Sequence, residues 1–262
     1  MSWDAWPIGD ASIDISGDEA WIRALGVSRV YGMPVSPLFY TNLPSYGKNW
    51  LWKGETLWID RWKQILQLQP DLVQIISWND FGESHYISSL PPTIEPPEAV
   101  RYVADMPHDA FRNILPYFID AYNAGQDTVI PTVDSVYFWY RLSLKEQGQT
   151  GGTSGNNPAY QDPVSPLSVV DDVLTIATIA KAPAMVVVSA QYKLPYTVRV
   201  AEGIHTTTVP LAYFANGSGS ISVSLERFGQ SVVQKTGPPL EDLRSNQLTN
   251  FNPWAGDSPM AY

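Results

Sequence analysis

Cysteine is absent from this chain of 262 residues, which excludes both a disulfide framework and a thiolate metal site. Histidine is scarce: His85, His108 and His205 are the three present. Their spacing matches no metal-ligand pattern, so no metal and no other cofactor is expected. Positive charge is also short, with 16 Lys and Arg against 26 Asp and Glu and a formal net charge of −10. A nucleic-acid ligand would call for a basic face, so none is expected. No apolar run is long enough to span a bilayer, and no membrane partner is expected; the best run, from Val173 to Ala190, is broken by Lys181 and Pro183. A glycine-rich phosphate loop and a serine nucleophile elbow are missing as well. No signal peptide is read ahead of Ser2-Trp3-Asp4-Ala5-Trp6-Pro7.

Aromatic residues, by contrast, are plentiful: 10 Trp and 14 Tyr, with eight of the Trp in the first 78 positions. That density suits rings lining a sugar cleft, with about half of them expected in ordinary core packing. The sequon Asn216-Gly217-Ser218 is a possible glycosylation site in a Gly/Ser-rich turn.

Along the chain, Ser16-Gly17-Asp18-Glu19 has capping-box spacing and opens a short helix. Trp21, Ile22 and Leu25 give that helix an apolar side, and Gly26 ends it. Arg29 to Val35 reads as a strand, followed by an aromatic, proline-rich loop through Tyr40 to Trp50 and Trp52. A helix from about Glu55 to Leu68 carries Leu57, Trp58, Trp62, Ile65 and Leu66 on one face and stops at Pro70. The run Leu72-Val73-Gln74-Ile75-Ile76-Ser77 reads as a buried strand. A third helix from about His108 to Asn123 contains Pro116, which should kink or split it. This alternation of strand and helix, with unusual residues after strand carboxyl ends, is the pattern of a parallel α/β architecture. From about Asp127 the texture changes. Val136–Tyr140, Val173–Ala180, Met185–Ser189, Tyr196–Val200 and Ser220–Leu225 all read as strands, predicting a β-sandwich. Residues 148–155 read as a flexible loop.

The chemistry concentrates in Trp78-Asn79-Asp80-Phe81-Gly82-Glu83-Ser84-His85-Tyr86, directly after a predicted strand. Two carboxylates three residues apart, beside Trp, Asn, His and Tyr, have the composition of a glycosidic-bond-cleaving site. Taken singly, Asp80 also suits a turn before Gly82, and Glu83 a solvated surface charge. By strand alternation Trp78 faces the same way as Asp80, and Ser77 and Asn79 the other.

Val73 to Ile87 as a string resembles the signature of glycoside hydrolase family 71, the fungal α-1,3-glucanases or mutanases. Ser2-Trp3-Asp4-Ala5-Trp6-Pro7, Tyr31-Gly32-Met33-Pro34-Val35-Ser36-Pro37 and Asn250-Phe251-Asn252-Pro253-Trp254-Ala255-Gly256 agree with it, in the right order. The resemblance implies a (β/α)8 barrel followed by a β-sandwich. On that pattern the chain carries a partial barrel, its last three strands (about 6–8), in residues 1–127. An all-β sandwich then occupies residues 128–262. Residues near Trp3 would end the sixth strand, Val30–Val35 would be the seventh and Leu72–Ser77 the eighth. A whole barrel takes ~250 residues, so a truncated chain is expected, with little or no activity by itself. The resemblance assigns Asp80 and Glu83 as the catalytic pair of an inverting hydrolase of α-1,3-glucan, with Glu83 leaning to the acid role. Trp3, Asp4, Trp6, Tyr40, Trp78, Asn79, His85 and Tyr86 are the candidate substrate-binding residues. The family also implies an extracellular or cell-wall location. A non-catalytic or carbohydrate-binding remnant is the alternative.

Overall fold

The computed structural model describes residues 5–258 except 216 and 218. Trp3, Asp4 and two members of the sequon, Asn216 and Ser218, therefore lie outside the described residues. Among the described residues the fold mixes helices with several sheets, none of which closes into a barrel.

Helix α1 (Ser16–Leu25) starts and stops where the sequence indicates, but not by the expected cap. Ile15 holds the N-cap position without a side-chain bond, and Ser16 Oγ instead donates to Asp14 Oδ1 at 2.5 Å. At the far end Gly26 adopts φ +64, a conformation that costs glycine little, and its N–H bonds Ile22 O. Of the apolar side only Leu25 packs on the core, while Trp21 is 46% exposed and Ile22 37%. Helix α1 is anchored through a charge. Asp18 takes a bidentate pair from Arg61, at 2.6 and 2.8 Å, and a bond from Tyr31 Oη at 2.5 Å, all buried.

Strand β1 (Gly32–Val35) is buried throughout. Where an aromatic loop was expected, the chain folds back as an antiparallel hairpin of β2 (Phe39–Leu43) and β3 (Lys48–Trp52). A 3-10 turn at Pro44–Tyr46 and a left-handed Gly47 join the two strands. In β2 both faces are buried, so it shows no alternation to read. Helix α2 (Leu57–Leu68) buries Trp58, Trp62, Ile65 and Leu66 as predicted, and left-handed Gln69 ends it ahead of Pro70. Strand β4 (Leu72–Ile75) pairs in parallel with β1, Gly32 opposite Leu72 and Val35 opposite Ile75. It ends two residues before Ser77. Its burial alternates between exposed and partly covered, because among the described strands β1 is its only neighbour. After α3 (Val100–Val103), the predicted third helix is split into α4 (Asp109–Asn113) and α5 (Leu115–Asn123). The break at Ile114 leaves Pro116 in the first turn of α5, where its missing N–H costs nothing.

Strands β5 (Ser135–Tyr140), β6 (Ser154–Gly155), β7 (Val173–Ala180), β8 (Ala184–Ala190), β9 (Tyr196–Val200), β10 (Gly203–Pro210), β11 (Ser220–Arg227), β12 (Gln230–Pro239) and β13 (Trp254–Asp257) follow, with a short α6 (Pro166–Val169) after β6. They form two four-stranded antiparallel sheets, β10-β7-β5-β13 and β12-β11-β8-β9. Strand β6 joins the hairpin instead, pairing with β3, so the expected 148–155 loop contributes a strand. Phe138, Leu174 and Ile176 of the first sheet share one apolar cluster with Val186, Val188, Val223 and Leu225 of the second. The first sheet's other face, including Tyr137, Trp139 and Ile179, packs on Trp58, Phe111 and Phe118 of the helices. That two-sided burial explains the unbroken apolar run of β7.

Candidate active site

The motif forms a tight turn at the carboxyl end of β4. Ser77 Oγ accepts the Asp80 N–H at 3.0 Å, and Asp80 Oδ1 accepts the Glu83 N–H at 3.0 Å. Gly82 sits where the turn is closest to its surroundings: a Cβ there would lie 3.1 Å from Pro96, 3.2 Å from Leu43 and 3.5 Å from Asp80 Oδ1. Asp80 thus plays the turn role its position suggested while keeping its carboxylate exposed. Both oxygens of Glu83 are engaged. Lys48 Nζ donates to Oε1 at 2.7 Å, and His85 Nε2 lies 3.0 Å from Oε2.

Burial alone would raise the Glu83 carboxyl, but His85 and Lys48 outweigh it and hold it below the ordinary glutamate range. Reciprocally, the bond to Glu83 raises the Lys48 ammonium. Asp80, Glu83 and His85 each offer an atom within 4.8 Å of the others. Within that cluster Lys48 pairs with Glu83, and the Asp80 carboxylate has no cation paired to it among the described residues. An open cleft over the pair is lined by Leu43, Tyr46, Lys48, Asp80, Glu83 and Glu95.

The hairpin decides which aromatic rings reach this cleft. In its register Phe39 faces Trp52, Thr41 faces Trp50 and Leu43 faces Lys48, so these six share one face. On that face Trp6 stacks on Trp52 at 5.0 Å and on His85 at 5.6 Å, with Phe39 edge-on at 5.1 Å. Trp6 is fixed there by its Nε1 bond to Leu38 O at 3.0 Å. Tyr40 and Leu51 belong to the opposite face. The Tyr40 ring is buried against Tyr102 and Phe251, and Tyr40 reaches the site only through its N–H on Glu83 O, at 3.2 Å.

Trp6 and His85 therefore stand beside the pair, Asn79 is exposed on the same turn, and Tyr40 and Tyr86 lie behind it. Trp78 is exposed, and its ring is flanked by the Arg112 guanidinium at 6.0 Å. Because β4 stops at Ile75, alternation does not carry on to residues 77–80, and Ser77 bonds into the turn. Lys48 and Tyr46 went unread as site residues, since only the fold-back of the hairpin and its turn brings them to the cleft, and Trp52 joins the Trp6 stack beside it.

A buried layer holds the turn from behind. Tyr102 Oη donates to Gly82 O at 2.7 Å, and Tyr86 Oη donates to Met106 O at 2.5 Å. Asn252 Nδ2 donates to Tyr86 Oη and Tyr102 O, at 3.2 and 3.0 Å. His108 stacks on Tyr86 with ring centres 4.0 Å apart. Its two nitrogens meet Tyr86 O at 3.1 Å and Pro253 O at 3.0 Å. The C-terminal motif is thus the clamp that fastens the turn to β13.

Comparison with known proteins settles the family. The family model for glycosyl hydrolase family 71 matches residues 1–262. The chain belongs to that family. A mutanase of Penicillium rubens is 34% identical over 98% of the chain and 56% of its own length. A glucan endo-1,3-alpha-glucosidase of Schizosaccharomyces pombe is 32% identical over 98% of the chain and 57% of its own length. An ascus wall endo-1,3-alpha-glucanase of the same yeast is 26% identical over 95% of the chain and 58% of its own length. The family 71 chain therefore spans a little over half the length of these relatives. No solved structure matches it.

Proposed function

We propose that this family 71 chain hydrolyses α-1,3-glucosidic bonds of α-1,3-glucan through Asp80 and Glu83. One carboxyl protonates the leaving oxygen while the other takes a proton from the attacking water. The observation that carries this reading is the carboxylate pair at the carboxyl end of β4, in an open cleft beside the Trp6/Trp52 stack. Parallel β1 and β4 stand for the seventh and eighth strands of a (β/α)8 barrel, and the two antiparallel sheets for its accessory β-sandwich, with the boundary near 127/128. The inverting course follows the family. An inverting pair needs its carboxyl groups ~6.5–9.5 Å apart, with room for the attacking water between them. An extracellular or cell-wall location fits such a substrate, and among the described residues no helix is long and apolar enough to cross a membrane.

The test is reducing-sugar release from α-1,3-glucan, with the anomer of the first product read by proton NMR. Whatever sugar the wild-type chain releases, Asp80→Asn and Glu83→Gln should each lower it by at least about two orders of magnitude in rate. Equal release by wild type and Asp80→Asn would remove Asp80 from the mechanism. A second reading has its own observation: among the described residues β4 pairs with β1 alone, whereas a barrel builds its site from a full ring of strand-end loops. On that reading the chain binds glucan without cleaving it. Binding to insoluble α-1,3-glucan with no sugar release would select it.

A further inference from the structure

The contacts of Glu83 divide the pair unequally. Ser77 Oγ lies 2.9 Å from His85 Nδ1 and also accepts the Asp80 N–H. Ser77 has one proton to give, and Nδ1 is the acceptor in line for it. That leaves the His85 proton on Nε2, facing Glu83 Oε2. Lys48 Nζ faces Oε1. With a donor on each oxygen, both contacts favour Glu83 as the anion over Glu83 as the acid. Asp80 differs: Oδ1 takes the Glu83 N–H, and Oδ2 has no hydrogen-bond partner among the described residues. The other charged group on the cleft is Glu95, from the proline-rich segment opposite.

We propose that Lys48 is a positioning residue which, with His85, fixes Glu83 as the anion of the pair, making Glu83 the base toward water and Asp80 the proton donor. The proposal rests on the hydrolytic reading and deepens it. In the step it implies, the water oxygen bonds to the anomeric carbon as Glu83 takes one of the water's protons. The bond from that carbon to the bridging oxygen breaks, its electron pair going to that oxygen, which takes the proton of Asp80. Glu83 ends protonated and Asp80 ionised, and exchange with solvent resets both. In this assignment Lys48 acts through Glu83. The position of Lys48 is itself set by register, opposite Leu43 on the cleft face of the hairpin.

The experiment is a carboxyl-carbon NMR titration of the full chain, labelled in Asp and Glu side chains and assigned with Asp80→Asn and Glu83→Gln. In wild type, Glu83 should be the first of the pair to lose its proton as pH rises. Lys48→Met should move the Glu83 midpoint upward, and Lys48→Arg should keep it in place, with circular dichroism confirming the fold of each. A Glu83 midpoint identical in wild type and Lys48→Met overturns the proposal. So does a wild type in which Asp80 ionises first, a readout that holds even if Lys48→Met fails to fold. Where the chain cleaves glucan, Lys48→Met should move the acidic limb of the kcat/KM profile to higher pH. Movement of the alkaline limb instead would reverse the two roles and sink the assignment. Absence of cleavage would count against the hydrolytic reading alone, since the titration reads Glu83 without it.

Discussion

Single residues in this family 71 chain do their work through the charge or proton they face. Asp18 and Arg61 are the clearest case: both are buried, and their bidentate contact ties α1 to α2 while Arg61 Nε reaches Pro34 O of β1 at 3.2 Å. Removing one partner strands the other without water. Asp18→Ala is expected to cost about 3–5 kcal/mol in urea unfolding, far more than loss of the exposed Arg23–Glu19 pair of the same helix. A cost below about 1 kcal/mol would show that Arg61 finds another partner. Asp18 was legible only as a helix-start residue, because nothing in a local pattern announces a partner 43 positions away.

At the scale of elements, the hairpin β2–β3 sorts side chains by the two-residue period of a strand. Trp52 and Lys48 fall on the cleft face, while Tyr40 falls on the core face. Trp52→Ala should therefore weaken pull-down on insoluble α-1,3-glucan several-fold, on the scale of one lost aromatic contact. Tyr40→Phe should leave it unchanged. Equal losses in both would mean that the ring stack does not carry binding. The turn after β4, α2 and the proline-split helix were legible, because each rests on a strong local signal: an apolar run, a 3.6-residue face, a missing N–H. Some strands escaped for want of a burial pattern. Strands β10 and β12 are sheet edges with little burial to pattern their sequence, and β13 is only four residues long. The hairpin hid for the opposite reason, burial on both faces of β2.

Across the whole molecule, ionisation should link stability to acidity. Full burial pushes His108 down to about 4 from an ordinary value of 6.5. Between those values the unfolded chain binds more protons than the folded one, so stability falls as pH falls through that window, by on the order of 3 kcal/mol in total. Glu83, Asp109 and Asp134 have carboxyls lowered overall by hydrogen bonds and ion pairs with His85 and Lys48, with Ser89 and Arg112, and with Arg227. Their contribution is lost at still lower pH, as each protonates. Asp257, raised by burial, works the other way. The melting temperature should drop from pH 7 to pH 4.5, and the drop should flatten in His108→Gln; an unchanged melting temperature across that range would contradict this. One long connection has a further consequence. Asn252 grips Tyr86 across 166 positions, and Pro253 meets His108 across 145. During synthesis the motif turn would thus leave the ribosome well ahead of its C-terminal clamp, held at first by nearer braces such as Tyr102 Oη on Gly82 O. A nascent chain stalled before Asn250 would carry Asp80 and Glu83 and still lack the grips of Asn252 and Pro253.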